Sequence, residues 1–279
     1  MRKINGRMRR RVTVAVMVLM VLLIALGIGL WLRSGSENSR DAVPPAAPSV
    51  PVPPPAPKPR PAEAPIPAEI LDGRILPSQS THLVRLPDAL ANKATFVHRD
   101  ALEDLSALMA AAQRDSIPLK VVSGFRSYWH QKNIWDKKWQ QYAHEIPDER
   151  ARVEKLTQFS AVPGFSRHHW GTDVDFNSVE TAYWHSPEGQ KVWQWLRQNA
   201  HRYGFCQVYD GRAQGQRSGG HEDEAWHWSH LPSAEPMHRQ RSARLHEALY
   251  PDLAGHAVLQ QKPELLRHFV DSLAPECVN

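Results

Sequence analysis

The sequence predicts an α+β fold, a small antiparallel sheet flanked by helices and preceded by a transmembrane helix. Three observations carry that expectation. Apolar side chains recur at helical spacing in several stretches. Short alternating or β-branched runs lie between them without the regular βαβ rhythm of a doubly wound sheet. Residues 12–32 form a long uncharged apolar run.

Of the 279 residues, 42% are hydrophobic and 23% charged, which suits one ordinary globular core with non-globular additions. The formal net charge of +5 is concentrated at one end: Arg2, Lys3, Arg7, Arg9, Arg10, Arg11 and Arg33 lie in a segment with no acidic residue. Everything after it is slightly acidic. No basic groove is left for a phosphate backbone, and no nucleic-acid partner is expected.

Residues 1–11 read as a cytoplasmic basic tail. The run 12–32 is long enough to span a bilayer core at about 1.5 Å per residue. Most of the positive charges precede it, so the positive-inside tendency leaves the N-terminus in the cytoplasm and the rest of the chain outside. The expectation is a single-pass anchor in the cell membrane, with the working domain periplasmic or otherwise extracytoplasmic. A cleaved signal peptide is the alternative, with an apolar stretch of usually about 7–15 residues; it too exports the domain.

Residues 43–67 hold 12 of the 23 prolines. Such a segment builds no core and favours extended polyproline conformations, so residues 33–68 read as a stiff tether with a reach of very roughly 75 Å. The folded domain is expected over 69–231, followed by a helical extension over 232–279 with no assigned role.

Within the domain, Leu102, Leu105, Leu108, Met109 and Ala112 predict a core-facing helix between residues 98 and 115. Residues 119–122 read as a β-branched strand ending at Ser123-Gly124. Ile134, Trp135, Trp139 and Tyr142 predict a helix over 128–145. Ser186-Pro187 offers an N-cap and a first-turn proline to a helix stopping at Gly204. Residues 173–176, 205–209 and 225–229 suit short strands, and 238–249 and 263–273 suit helices. Trp129, Trp135, Trp139, Trp193 and Trp195 are expected in the core, and Trp170, Trp226 and Trp228 as walls of a site. Cys206 and Cys277 either pair in an oxidising compartment or leave Cys206 a buried thiol.

Three stretches carry chemistry: Ser123-Gly124-Phe125-Arg126-Ser127-Tyr128, then Ser166-Arg167-His168-His169-Trp170-Gly171-Thr172-Asp173-Val174-Asp175, then Glu224-Ala225-Trp226-His227-Trp228. In a chain with 15 histidines each is weak alone. Their weight lies in their joint occurrence, order and internal spacing. Two imidazoles and one carboxylate are the N and O donors that a catalytic zinc takes while keeping a position open for water. A nearby carboxylate can then accept a proton from that water. Strict strand alternation would put Glu224 and His227 on opposite faces, so a bend or strand end is expected near Trp226. Asp173 and Asp175 face the same side. Ser123, Ser127 and Ser166 come with neither a Gly-x-Ser-x-Gly elbow nor a Ser-x-x-Lys motif, which leaves a serine enzyme a poor rival.

Together the stretches resemble the VanY-type D-alanyl-D-alanine carboxypeptidases, zinc peptidases related to the hedgehog N-terminal domain and lysostaphin-like enzymes. The resemblance runs from about His98 to His230. Its Ser-x-His-x-x-Gly-x-x-x-Asp pattern implies His168 and Asp175 as zinc ligands, although Asp173 stands where the family commonly has a small residue. Its Glu-x-Trp-His pattern implies Glu224 as catalytic base and His227 as third ligand. Its Ser-Gly-Tyr-Arg-Ser pattern, here with Phe125, implies Arg126 as a catalytic group that also grips the substrate; Ser166, Gln131 and Trp226 are further candidate substrate contacts. The implied reaction is zinc-dependent removal of the terminal D-alanine from peptidoglycan stem peptides. An L,D-carboxypeptidase or a peptidoglycan endopeptidase on the same zinc site, and a non-catalytic zinc-containing wall-binding module, are the alternatives. Retention of Glu224 argues against the last, since a binding module needs no base beside its metal. His169 reads as a packing residue behind the site, and His221 and His230 flank the last motif.

Overall fold

The computed structural model describes residues 64–217 and 219–278. The expected basic tail, the membrane anchor at 12–32 and nearly all of the proline-rich tether lie outside the described residues. Among the described residues no helix is long and apolar enough to cross a membrane.

A short helix, α1 (Ala68–Leu71), leads to a hairpin of β1 (Leu83–Arg85) and β2 (Phe96–His98), with Leu83 opposite His98. Helix α2 (Leu102–Arg114) follows a 3-10 turn and buries Leu105, Leu108, Met109, Ala111 and Ala112, the face its sequence period selects. The second sheet contains β3 (Val121–Ser123), β4 (Asp173–Phe176), β5 (Phe205–Cys206) and β6 (His227–His230). Its order is β3-β4-β6-β5, and every pairing is antiparallel. The small antiparallel sheet expected from the sequence is therefore present. Two of its strands are shorter than expected: 205–209 pairs only over Phe205–Cys206, and 225–229 begins at His227.

Helices surround the sheet, each with a local cause. Ser127 caps α3 (Tyr128–Ala143) by accepting from His130 N–H at 3.2 Å, and Asp148 caps α4 (Glu149–Leu156) by accepting from Ala151 N–H at 2.8 Å. After the short α5 (Thr181–His185), Ser186 and Pro187 start α6 (Pro187–Asn199) as the sequence suggests, and a 3-10 turn extends it to Tyr203 before Gly204.

Strand alternation divides the sheet. Val174, Phe176 and Trp228 point into a core with Leu105, Leu108, Val192 and Leu196. Asp173, Asp175, His227 and Ser229 point to the other face. A second core gathers Trp135, Val153, Leu156, Val162 and Phe165 with Leu245, Leu253, Leu259, Leu266, Phe269 and Val270. After α7 (Leu231–Ala243), residues 245–270, including α8 (His256–Gln261) and α9 (Pro263–Asp271), thus supply much of the apolar cover behind α3 and α4. A Cys206–Cys277 disulfide ties the end of this segment to β5. Of the tryptophans expected in the core, Trp135 and Trp195 are buried, whereas Trp129 is 58% exposed because it sits on the outer face of α3.

Candidate metal centre and active-site cleft

The motif Ser166–Asp175 folds as a 3-10 turn, a glycine and a strand. In the turn Arg167–Trp170 successive side chains point about a third of a revolution apart, so His168 and His169 diverge. Gly171 ends the turn at φ +73°, where a Cβ would lie 2.9 Å from His98 N; only glycine both takes this conformation and lets the hairpin approach. The chain then enters β4 and delivers Asp175 directly opposite His227 on β6 and Ser123 on β3. Cross-strand partners share a face, so three strands converge on one point.

There His168 Nε2 lies 3.3 Å from Asp175 Oδ2, and His227 Nδ1 lies 3.3 Å from Asp175 Oδ1. One donor atom from each of His168, Asp175 and His227 falls within 4.8 Å of the others, and all three side chains are buried. Among the described residues these three form the cluster able to hold a metal. The remaining ring nitrogens are held from behind. His168 Nδ1 donates to Gly124 O at 2.9 Å, and His227 Nε2 donates to Asp173 Oδ2 at 2.9 Å. Such partners fix the tautomer and turn the free nitrogen toward a metal. Asp175 Oδ1 is buried without a hydrogen bond, an orphan acceptor that a cation would satisfy. The donor set therefore fits a zinc ion.

Asp173, the competing carboxylate, is fully engaged elsewhere. It accepts from Arg167 Nε at 2.8 Å, Ser229 Oγ at 2.8 Å and Thr172 Oγ1 at 2.7 Å, besides His227. Arg167, also buried, reaches Ser229 Oγ at 2.7 Å and stacks on Trp170. Burial disfavours ionised Asp173, yet Arg167 and His227 outweigh it and hold the carboxyl below its ordinary range. The same contest, won by His168 and His227, keeps Asp175 ionised.

The bend expected near Trp226 is there. Ala225 and Trp226 form a turn closed by His227 N–H donating to Glu224 O at 3.2 Å, and β6 begins only at His227. This brings Glu224 Oε2 to 3.4 Å from His227 Nδ1. Burial pushes the Glu224 carboxyl up to about 7, against the opposing pull of His227 and Arg126. Burial alone would lower His227, but its bond to Asp173 and the charges of Asp173 and Asp175 raise it to about 9.

Arg126 follows β3. Its N–H donates to His168 O at 3.0 Å, and its carbonyl accepts from His169 Nδ1 at 2.6 Å. His169 in turn accepts from Gly164 N–H at 3.0 Å, so this histidine clamps the Arg126 backbone to the His168 turn. The guanidinium donates to Gln131 Oε1 at 2.9 Å and Ser123 Oγ at 3.0 Å, with Asp175 Oδ2 at 3.5 Å.

A cleft of about 470 Å³ opens over these groups. Arg126, Gln131, Ser166, His168, Asp175, Glu224, Trp226 and His227 all line it, so every candidate residue from the sequence reaches one space. Lys138, Tyr209 and Arg167 line it too and were not singled out. Only the position of Arg167 beside His168 hinted at its part; the other two carry no sequence signal. His221 lines the cleft and its Nδ1 donates to Thr157 O at 3.0 Å. Trp170 and Trp228 are not walls of the cleft: the first packs against Leu71, Ala234 and Met237, and the second is in the sheet core. His230 bonds Asp104 and Ser233 away from it.

Residues 94–233, half of the chain, match the VanY family of D-alanyl-D-alanine carboxypeptidases. The chain belongs to this family. A D-alanyl-D-alanine carboxypeptidase of Enterococcus faecalis is 34% identical over 128 residues, which cover 46% of this chain and 45% of the relative. This VanY-family chain thus spans under half the length of that relative. Among solved structures, VanYB in complex with D-alanine-D-alanine is 26% identical, covering 60% of this chain and 90% of that one with a TM-score of 0.43. A vancomycin-resistance D,D-pentapeptidase VanY variant in complex with Zn(II) is 27% identical, covering 58% and 88%, also with a TM-score of 0.43.

Proposed function

We propose that this protein is a zinc-dependent D-alanyl-D-alanine carboxypeptidase that trims the terminal D-alanine from peptidoglycan stem peptides. The observation that carries the reading is Glu224 Oε2 standing 3.4 Å from His227 Nδ1, beside His168 and Asp175, inside the VanY match. His168, Asp175 and His227 would hold the ion. Bound zinc supplies an acidified water and polarises a carbonyl oxygen. Glu224 takes the proton as general base and returns it to the leaving amine as general acid. Arg126 grips the terminal region of the peptide through its donor fork, with Gln131, Ser166 and Trp226 beside it in the cleft.

The working domain acts outside the cytoplasm, held to the cell membrane by residues 12–32 as a single-pass anchor. The Cys206–Cys277 disulfide supports an exported domain, since such bonds persist in oxidising compartments. Protease added to intact cells should reach the tether; a shortened, freely soluble mature form would indicate a cleaved signal peptide instead.

The deciding assay incubates the zinc-loaded full-length protein with defined muropeptides and identifies the released amino acid. Pentapeptide stems ending in D-Ala-D-Ala should yield tetrapeptides and free D-alanine. Faster loss of D-alanine from tetrapeptides would identify an L,D-carboxypeptidase, and cutting of amidated stems as fast as free ones an endopeptidase.

A further inference from the structure

Helix α3 turns Gln131, Ile134 and Lys138 toward the cleft, positions three and four apart that share one helix face. Gln131 holds Arg126 at the metal end. Lys138 stands two turns further, about 10 Å along the axis at 1.5 Å per residue. Its Nζ donates to Ser160 Oγ at 2.6 Å, and among the described residues that is its one hydrogen-bond partner. An ammonium has three donors, so two remain for the cleft.

The charged groups around it are Glu224, Arg126 and Glu180, none within ion-pair distance. Burial pulls the ammonium's pKa down, and the field of Glu224 pulls it back up. The neighbouring Lys132, on the same helix, shows the ordinary arrangement: Asp136 lies 2.8 Å from its Nζ and Asp252 3.9 Å. Lys138 instead keeps a half-buried charge against a single neutral hydroxyl, an arrangement that costs stability unless an anion completes it. Phe159 and Trp226, rings paired at 6.3 Å, line the same cleft.

We propose that Lys138, steadied by Ser160, is a second anion-recognition point that takes a carboxylate of the peptide substrate, complementing Arg126 at the metal end. This rests on the reading that the cleft takes a peptide. Two carboxylates have the required chemistry: the terminal one on the leaving residue, and one carried by a residue upstream of the cut.

The test uses zinc-loaded full-length protein and synthetic peptides ending in D-Ala-D-Ala, with the C-terminal and upstream carboxylates separately free or amidated. Binding by calorimetry and kcat/KM are measured for wild type, Lys138→Met and Lys138→Arg. Lys138→Met should weaken binding at least 10-fold for peptides carrying the recognised carboxylate and leave the analogue amidated at that position within twofold of wild type. Which amide erases the difference identifies the carboxylate, and Lys138→Arg should recover most of the binding. Equal losses on free and amidated peptides, or no loss at all, would overturn the proposal. A wild type that binds in this Lys138-dependent way without releasing D-alanine would refute the carboxypeptidase reading alone. A wild type that binds none of the peptides would overturn both.

Discussion

His227 Nε2 lies 2.9 Å from Asp173 Oδ2, which leaves Nδ1 as the ring atom turned toward Asp175 and Glu224. The two aspartates of β4 face the same side yet make different contacts. Asp175 should be a ligand and Asp173 the group that aims one. Asp175→Ala should empty the site. Asp173→Asn should retain zinc with affinity reduced about 10- to 100-fold. It should also destabilise the metal-free fold by about 3–5 kcal/mol, because Arg167 is left buried with its charge unpaired. Metal content after dialysis against a graded chelator, with urea unfolding of the metal-free variants, separates the two roles; equal effects in both assays would contradict them.

Glu224→Gln preserves shape but cannot accept a proton. Zinc should stay bound at about one per chain while turnover falls by about two orders of magnitude or more, the usual contribution of a positioned base. Near-normal kcat on a D-Ala-D-Ala pentapeptide would remove Glu224 from the mechanism.

Arg126 presents a fork already oriented by Gln131 and Ser123. A point charge cannot reproduce that geometry, so Arg126→Lys should be nearly as damaging as Arg126→Ala, each by about 100-fold or more in kcat/KM. Retention of most activity in the lysine variant would show that charge alone suffices.

Acid should loosen the fold through its buried histidines, against the smaller opposing contribution of one raised carboxyl, Glu224. Burial lowers His221 to about 3 and His98 to about 4, so both are neutral in the fold at pH values where the unfolded chain binds protons. The unfolded state gains those protons as pH drops below about 6.5, so stability is full above that value. It declines through the window down to the folded pKa values, by up to about 1.4 kcal/mol per pH unit for each histidine. Urea unfolding of the metal-free protein between pH 7 and 5 should show the decline, and a flat profile would count against it.

The Cys206–Cys277 bond closes a loop with a sequence separation of 71. By chain entropy it stabilises the fold by up to about 4 kcal/mol. Cys277→Ser should therefore lower the unfolding free energy by about 2–4 kcal/mol and free the end of the segment behind α9. An unchanged unfolding midpoint after reduction would show that the segment is held by packing alone.

Much of this was legible because it depends on residues close together in the chain. Ser127, Ser186 and Pro187 act on their own helices, and the amphipathic period of α2 is a property of a dozen consecutive residues. The bend before His227 followed from asking how Glu224 and His227, three apart, could meet. The candidate ligands and base were marked by the motifs' resemblance to the VanY family, and the structure brings these side chains together from the 3-10 turn, β4, the start of β6 and the bend before it. The roles of the tryptophans were not. Trp170 and Trp228 sit within the motifs yet pack away from the cleft, because the faces of a turn and of a strand are assigned by what packs on them.

By itself the sequence marked α2, α3 and α6, the short strands of the second sheet and the uncharged run at 12–32, and its motifs singled out His168, Asp175, Glu224 and His227 as candidates. Only the tertiary structure decided which aspartate is free to bind a metal, since that depends on Arg167, Ser229 and Thr172 saturating Asp173 across two strands. It also decided the disulfide, the closing of the second core by the residues after β6, and the turning of Lys138 into the cleft. Each of these is a contact between segments tens of residues apart. Such contacts are chosen by the competition of all buried surfaces for one another, which no local pattern encodes.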